Sequence, residues 1–292
     1  MAGLGGKYAL GVAFIVEGVT EKVFSKTYVR QIAGRLGLSC EELIVSDTPA
    51  FVVVGESGSA LLLFHSVGSV SQIPNAGSWF KRVCADGWPA VPWHVMLCYD
   101  TDAYNADVTK FHEGDWLQLR SEIGRDASSV SNLAAEADIE DVMLCDAEGV
   151  LSFLGLPAGT PIPGGKKGKR KMAKLHRMVA PNVAYHAGDK ARPLIEALDM
   201  NLVARRAPQG VDLAKIDALL AKLSTSSANL SNRLIDIRNA YPGAYSVMAP
   251  KSMRSTCPNL SFPSPSHSAV KKQVELISHQ FHPVREFGLL LL

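Results

Sequence analysis

The sequence predicts an α/β protein in which helices flank a mainly parallel β-sheet. Two short apolar runs, at residues 8–16 and 93–100, each lead directly into acidic residues, as expected of strands that are buried on both faces. A helical pattern follows the first run, with Val23, Phe24 and Tyr28 on one face. Strands that alternate with helices through short connections favour parallel pairing, because the crossover helices cover both faces of the sheet.

Further elements follow from the same patterns. Residues 49–66 contain two strand-like runs joined by Glu56–Ser59, which predicts a β-hairpin. Thr20 is expected to cap the first helix. Additional helices are predicted at residues 113–124, 189–206 and 211–240. Residues 158–168 are rich in Gly, Pro and Lys and predict a loop, after which a basic segment is compatible with a helix.

The composition is that of a soluble globular protein. Of 292 residues, 47% are hydrophobic and 20% are charged, which is enough apolar material for a sizeable core. No apolar run reaches the length of a membrane span, and the N-terminus lacks the basic region of a signal peptide. Five cysteines without a CxxC pair argue against a zinc ribbon or a disulfide framework, so we expect a reducing, cytoplasmic setting without membrane partners.

Acidic residues follow the two buried strands. Asp100 and Asp102 leave the second strand on the same side, because alternate residues of an extended chain point the same way. Glu17 ends the first strand, and Glu21 lies one helical turn further on. Functional residues of parallel sheets gather at the carboxyl ends of strands, and clustered carboxylates suit Mg²⁺. Such a cluster can hold one or two metal ions for phosphoryl displacement, although each acid alone is also typical of a turn or a helix cap.

A compact basic block contrasts with the nearly neutral net charge of +2. It has seven cations and no acid, and it is expected to contact the phosphates of nucleic acid. The alternative interpretation is a solvated loop and helix face. The block consists of Lys166, Lys167, Lys169, Arg170, Lys171, Lys174 and Arg177.

The sequence around the acids resembles the signature of the TOPRIM superfamily. The stretch Val16–Glu21, VEGVTE, is similar to its glutamate after the first strand, and Tyr99–Asp102, YDTD, to its Asp-x-Asp after a later strand. The VEGxTE form is most similar to the nuclease branch, which includes OLD-type nucleases and RloB-like TOPRIM proteins of phage-defence loci. The stretch Asp138–Asp141 resembles a further acidic element of that branch. The resemblance spans roughly residues 8–200.

The resemblance implies a role for each acid. Glu17 is expected to be a metal ligand or the general base, and Asp100 and Asp102 are expected to bind Mg²⁺ or Mn²⁺. Glu21 and Glu140 are expected to complete a second metal position.

In addition to Asp141, which is the alternative to Glu140 at the second metal position, the resemblance implies a lysine near the metals. In OLD-type enzymes a lysine-bearing segment follows the acidic element, and here Lys169 or Lys171 is expected to neutralise charge that develops on the phosphate.

The implied domain organisation has three parts. Residues 1–160 would form a TOPRIM-like catalytic core, in which the segment near 49–90 is an insertion, because the gap between the two acidic motifs is longer than in a minimal TOPRIM domain. Residues 161–240 would complete this core with a basic, helical segment. Residues 241–292 are rich in Pro and Ser and predict an irregular C-terminal extension, with one more helix from about Val270.

Together these features predict a metal-dependent nuclease that hydrolyses the phosphodiester bonds of DNA or RNA. The resemblance further implies anti-phage defence with an ATPase partner, and because the chain has no Walker A motif, the ATPase is expected either to sit on a partner protein or to be absent. Two alternatives stay open: a non-catalytic, regulatory nucleic-acid-binding TOPRIM module, and a primase-like nucleotidyl transferase without the zinc module of bacterial primases. Both a monomer and a homo-oligomer are compatible with the sequence.

Overall fold

A mixed β-sheet forms the centre of the protein, and helices pack on both of its faces. The computed structural model describes residues 8–45, 48–101, 113–208 and 211–224. Within them the strands are β1 (Leu10–Val16), β2 (Ser39–Val45), β3 (Thr48–Gly55), β4 (Gly58–Ser66), β5 (Trp93–Asp100) and β6 (Ser129–Ala135). Their order across the sheet is β2-β3-β4-β1-β5-β6.

Parallel pairing dominates the part of the sheet that carries the acidic motifs. Strand β1 pairs in parallel with both β4 and β5, and β5 pairs in parallel with β6. Strands β2, β3 and β4 pair antiparallel at the other side of the sheet. The predicted α/β class with a mainly parallel sheet is confirmed.

The helices form two layers. On one face of the sheet lie α1 (Val19–Arg35), α4 (Ile139–Met143), α5 (Ala147–Phe153), α6 (Gly168–Val179), α7 (Arg192–Ala197), α8 (Met200–Arg206) and α9 (Ala214–Ser224). On the other face lie α2 (Ile73–Trp79), a π-helical stretch (Phe80–Ala85) and α3 (Glu113–Ile123). Short 3-10 turns occur at Val70–Gln72, Leu144–Asp146 and Gly188–Ala191.

Strand β1 is buried along its whole length because both layers cover it. Val12 and Phe14 pack into the core beneath α1, whereas Ala13 and Ile15 pack into the core on the opposite face. This two-sided burial explains why β1 is a continuous apolar run without polar alternation. The sharp change from apolar to acidic residues at the end of the run therefore marks the edge of the sheet.

The hairpin formed by β3 and β4 belongs to the central sheet. Strand β4 lies between β3 and β1, and it pairs with β1 from Leu10↔Ala60 to Val16↔Ser66. The segment near 49–90, expected from the resemblance as an insertion, thus contributes a strand that adjoins β1 directly.

Several local expectations need correction. The stretch 189–206 is broken into α7 and α8, because Leu198 is extended and the Asp199 carboxylate caps α8. Gly18, and not Thr20, is the N-cap of α1, and the Thr20 hydroxyl accepts a hydrogen bond from the Gly188 amide at 2.8 Å.

Parts of two predicted segments lie outside the described residues. Helix α9 ends at Ser224, so the remainder of the predicted helix 211–240 is not described. The same holds for the predicted extension 241–292. Among the helices that the structure describes, none combines the length and the hydropathy needed to cross a membrane.

Candidate metal centre

Glu17 and Asp100 meet at the carboxyl edge of the sheet. The parallel pairing of β1 with β5 places Val16 beside Cys98, and the pairing continues with a hydrogen bond from the Glu17 amide to the Cys98 carbonyl at 2.9 Å. The backbone amide of Asp100 then donates to Glu17 Oε2 at 3.0 Å. Two acids that are 83 residues apart in the chain are thereby joined directly.

Glu21 adds a third carboxylate from the first turn of α1. It is only 8% exposed. Burial raises the pKa of Glu21 to about 7, the charges of Glu17 and Asp138 act in the same direction, and hydrogen bonds from the backbone amides of Glu21 and Gly18 oppose the rise. The bond to Gly18, the N-cap residue, is half of a capping box, so Glu21 also has a structural role at the helix start.

Asp138 and Glu140 bring two more carboxylates from the segment that follows β6. Strand β6 pairs with β5 as far as Asp100↔Ala135, so this segment leaves the sheet beside Asp100. Asp138 and Glu140 are 5% and 3% exposed. Burial raises the pKa of Asp138, and burial together with the Asp138 charge raises the pKa of Glu140 to about 7.

The charged form of Asp100 is strongly disfavoured within this acidic centre, which comprises Glu17, Glu21, Asp100, Asp138 and Glu140. Burial and the charges of the other four acids, Glu21 first, raise the pKa of Asp100 to about 9. Asp100 and Glu21 line a small cavity whose walls are otherwise largely apolar, with Phe24 and Leu133 among them. Asp100 Oδ1 is buried and has no hydrogen-bond partner. A buried, unpartnered carboxylate oxygen is costly unless a proton or a cation compensates it.

The acidic centre fits a divalent cation in its donor chemistry and its charge. All five side chains offer carboxylate oxygens, the ligands that Mg²⁺ prefers. A cation would also remove the repulsion that raises the pKa of Asp100. However, among the described residues no three His, Cys, Asp or Glu side chains are arranged closely enough to hold a metal ion on their own. The remaining predicted ligand, Asp102, lies outside the described residues.

Asp141 lies next to the acidic centre but is paired with a lysine. Its Oδ1 accepts from Lys171 Nζ at 2.7 Å, so Lys171 already neutralises one carboxylate beside Glu140. The other lysine expected to act on the phosphate, Lys169, is exposed, and its backbone amide donates to Asp138 Oδ2 at 3.1 Å. The structure therefore connects both lysines to the acidic element through Asp138 and Asp141.

Asp138 joins the starts of two helices. Its side chain caps α4 by accepting from the Asp141 amide, and it caps α6 by accepting from the Lys169 amide. Gly168 lies against this junction, and an added Cβ there would collide with the Asp141 amide and the Asp138 carboxylate. Helix α6, which carries most of the basic block, consequently begins at the acidic centre.

The basic block is divided between two faces of α6. Met172 and Leu175 are buried, which orients the opposite face outward. Lys169 is exposed, and the other exposed cations form a basic stripe that consists of Lys166, just before the helix, and Arg170, Lys174 and Arg177 at helical spacing within it. Lys167 is partly buried, and the ammonium group of Lys174 donates to the Gly164 carbonyl at 2.7 Å.

Tyr185 is a neighbour of the acidic centre that the motifs do not contain. Its hydroxyl donates to Glu140 Oε1 at 2.9 Å. Burial, followed by the charge of Glu140, raises the pKa of Tyr185, so this hydroxyl keeps its proton over the accessible pH range. It lies 45 residues beyond Glu140 in an irregular segment, where no local pattern points to it.

Comparisons with known proteins do not assign the chain to a family. No protein-family model matches the sequence, and no curated protein matches it. Among solved structures, the Campylobacter jejuni 5'-methylthioadenosine/S-adenosyl homocysteine nucleosidase is 9% identical over 73% of this chain and 99% of its own, with a TM-score of 0.22. A Helicobacter pylori futalosine hydrolase mutant is 9% identical over 78% of this chain and 99% of its own, with a TM-score of 0.20. Similarities this low carry no argument about activity.

Proposed function

We propose that the protein is a divalent-metal-dependent nuclease with a TOPRIM-type site. The observation that carries this proposal is the environment of the Asp100 carboxylate. Its carboxylate has a buried, unpartnered oxygen and a pKa raised to about 9, and four other acids surround it. Strongly shifted carboxyl groups in a cleft at the carboxyl edge of a parallel sheet are typical of functional sites.

Each acid has a proposed role. Asp100 and the sequence-predicted ligand Asp102 would bind Mg²⁺ or Mn²⁺ together with Glu17. Glu21 and Glu140 would complete a second metal position. Divalent-metal chemistry at such a site supplies polarisation of a phosphoryl oxygen and activation of water. The alternative role of Glu17 is that of the general base, since it lies beside Asp100 at the edge of the site.

The basic stripe supports a polynucleotide substrate. It begins at Lys166, just before α6, and covers about two turns of the helix from Arg170 to Arg177, while Asp138 fixes the first turn of this helix to the acidic centre. A row of exposed cations of this length can contact several phosphates of one backbone without reading its sequence. The resemblance to phage-defence nucleases adds the proposal that the protein acts in anti-phage defence with an ATPase partner.

A second candidate is a non-catalytic nucleic-acid-binding module. The ion pair between Lys171 and Asp141 favours it, as does the lack of a complete three-ligand group among the described residues. In that case Asp100, whose pKa is raised to about 9 by burial and by its acidic neighbours, would be protonated at neutral pH, and only the basic stripe would act.

A cleavage assay with labelled DNA and RNA, in Mg²⁺ or Mn²⁺, separates the two candidates. Asp100→Asn should lower the cleavage rate by about a thousandfold, because a metal ligand contributes several kcal/mol to catalysis, while nucleic-acid binding in EDTA persists. The matched control is Asp86→Asn, which removes an exposed carboxylate and should cleave like the wild type. If wild type and Asp100→Asn cleave equally, the proposed site is wrong. If neither cleaves but both bind, the second candidate is supported.

A further inference from the structure

The segment between α6 and α7 contributes Tyr185 to the acidic centre, and its end is held by a contact with α1. Its start forms a turn, in which the Val183 amide donates to the Ala180 carbonyl at 3.0 Å. At its end the Gly188 amide donates to the Thr20 hydroxyl at the beginning of α1. Gly188 has a φ of 74°, which favours glycine at this position. Tyr185 lies between the turn and the Gly188 contact.

Tyr185 has a defined position within this segment. Its ring packs against the His176 ring of α6, with 5.3 Å between centroids and a tilt of 60°. The hydroxyl is thereby directed to Glu140, where the hydrogen bond to Oε1 measures 2.9 Å. The ring contact with His176 and the hydrogen bond to Glu140 are independent of each other, and together they hold the tyrosine in a single orientation.

Glu140 needs such a donor because its surroundings are acidic. It is 3% exposed, and the charges of Asp138 and Glu21 both disfavour its ionised form. The Tyr185 hydrogen bond favours that form. A neutral donor can hold a carboxylate in place without neutralising it, whereas a lysine or arginine would compete with a cation for the same oxygens. Asp141 shows the contrast, since Lys171 occupies its Oδ1.

We propose that Tyr185 is a positioning residue of the metal centre, which orients Glu140 through its hydroxyl so that the carboxylate can bind a divalent cation. This inference rests on the proposed function, because it requires a cation at the acidic centre. Tyr185 does not itself contact the cation or the substrate. Partners of this kind, which hold a metal ligand through a hydrogen bond, typically change metal affinity by about 10- to 100-fold when they are removed.

The test is Mn²⁺ affinity, measured by isothermal titration calorimetry on the full chain without nucleic acid. Tyr185→Phe keeps the ring and its packing against His176 but removes the hydroxyl, and it should weaken Mn²⁺ binding by about 10- to 100-fold. The matched control is Tyr28→Phe. Tyr28 is a buried tyrosine whose hydroxyl donates to the Asp217 carboxylate at 2.6 Å, and Asp217 is not one of the five acids of the centre. This variant should lose stability but keep the wild-type Mn²⁺ affinity.

A double-mutant cycle shows whether the hydroxyl acts through Glu140. If it does, Tyr185→Phe should have no further effect on Mn²⁺ affinity once Glu140 has been replaced by Ala. A wild-type affinity in Tyr185→Phe, or an equal loss in the Glu140→Ala background, would overturn the positioning role. Wild-type protein that binds no Mn²⁺ would overturn the metal centre itself, and the role of Tyr185 with it. The two failures are thus distinguishable.

Discussion

The backbone amide of Asp100 donates a hydrogen bond to Glu17 Oε2 at 3.0 Å, and this bond connects the ends of two neighbouring parallel strands. It satisfies one oxygen of Glu17 but none of the oxygens of Asp100, whose Oδ1 stays buried without a partner. The held Oε2 of Glu17 and the unpartnered Oδ1 of Asp100 therefore belong to adjacent strand ends. Ionisation of Asp100 consequently depends strongly on an added positive charge.

The first prediction concerns the stability of the protein without metal. The pKa of Asp100 is raised from 3.8 to about 9 in the folded state. A carboxyl group with a raised pKa favours folding while it is protonated, below its unfolded pKa, and this contribution is lost as the pH rises through the folded pKa. In EDTA the free energy of unfolding of the wild type should therefore fall between about pH 4 and pH 9.

Asp100→Asn should flatten this pH dependence. At pH 8 in EDTA the variant should be more stable than the wild type by at least about 1.4 kcal/mol, the free energy of one pKa unit. Urea unfolding at pH 5, 7 and 8.5 measures the difference. Asp86→Asn, which changes an exposed carboxylate, should show the same pH dependence of the free energy of unfolding as the wild type. A variant Asp100→Asn with the wild-type slope would mean that this carboxyl group is not protonated in the folded protein.

The second prediction is that the stabilisation by Mn²⁺ increases with pH. The pKa values of Glu21 and Glu140 are raised to about 7 and that of Asp100 to about 9, so a cation must displace more protons in order to bind as the pH falls. At pH 8 and a hundredfold excess over the Kd, the midpoint of thermal unfolding should rise by roughly 5 to 10 °C. At pH 5.5 the rise should be small. An equal rise at both pH values, or an equal rise in Asp100→Asn, would place the cation elsewhere.

The sequence predicted the two acids at the sheet edge because local rules determine them. Strands β1 and β5 are buried on both faces, so each is a continuous apolar run that ends at its acid. Because β1 and β5 are neighbours in the sheet, their parallel pairing places Glu17 beside Asp100. The hydrophobic pattern therefore predicts that each acid ends a strand, whereas the adjacency of β1 and β5 comes from the sheet topology.

Other parts of the fold lack such a local pattern. The side chains of β2 are mostly exposed and those of β6 are small or polar, so neither strand forms an apolar run. Tyr185 belongs to the centre only because the chain between α6 and α7 returns to the start of α1. Asp138 did carry a recognisable signal, since an aspartate three residues before Asp141 at a helix start is a typical N-cap.

The third prediction concerns the junction between α4 and α6. An alanine at Gly168 would place its Cβ against the Asp141 amide and the Asp138 carboxylate, both of which are buried or hydrogen-bonded. Gly168→Ala should therefore lower the free energy of unfolding by about 1 to 3 kcal/mol and weaken Mn²⁺ binding, because α6 must move away from α4. Gly34→Ala is the control. Gly34 lies in α1 with open space around it, and this variant should gain up to about 1 kcal/mol from helix propensity.

The two glycine variants also distinguish the role of the junction from a general effect of added bulk. In Gly168→Ala, the free energy of unfolding from chemical denaturation and the Mn²⁺ affinity from calorimetry should both decrease. In Gly34→Ala neither should decrease. A Gly168→Ala protein with unchanged stability and unchanged Mn²⁺ affinity would show that Asp138 does not need the close approach of α6.

The fourth prediction is that the basic stripe, and not the net charge, binds nucleic acid. The double variant Arg170→Gln/Lys174→Gln removes two exposed cations from one face of α6. In EDTA, the slope of log Kobs against log salt concentration should decrease in magnitude by about 1.4 to 1.8, since each phosphate contact contributes about 0.7 for single strands and about 0.9 for B-form DNA. The loss of affinity should be similar for unrelated sequences, because phosphate contacts carry no sequence information.

The control for this prediction is Lys215→Gln/Lys222→Gln, which removes two exposed cations from α9. Its salt dependence should equal that of the wild type. If the two double variants change the salt dependence equally, the attraction of nucleic acid depends on the total charge of the protein and not on the basic stripe. If neither double variant changes the salt dependence, α6 presents its cations to a different anion. Binding to vesicles of anionic lipid, compared with neutral vesicles, would then show whether that anion is a lipid surface.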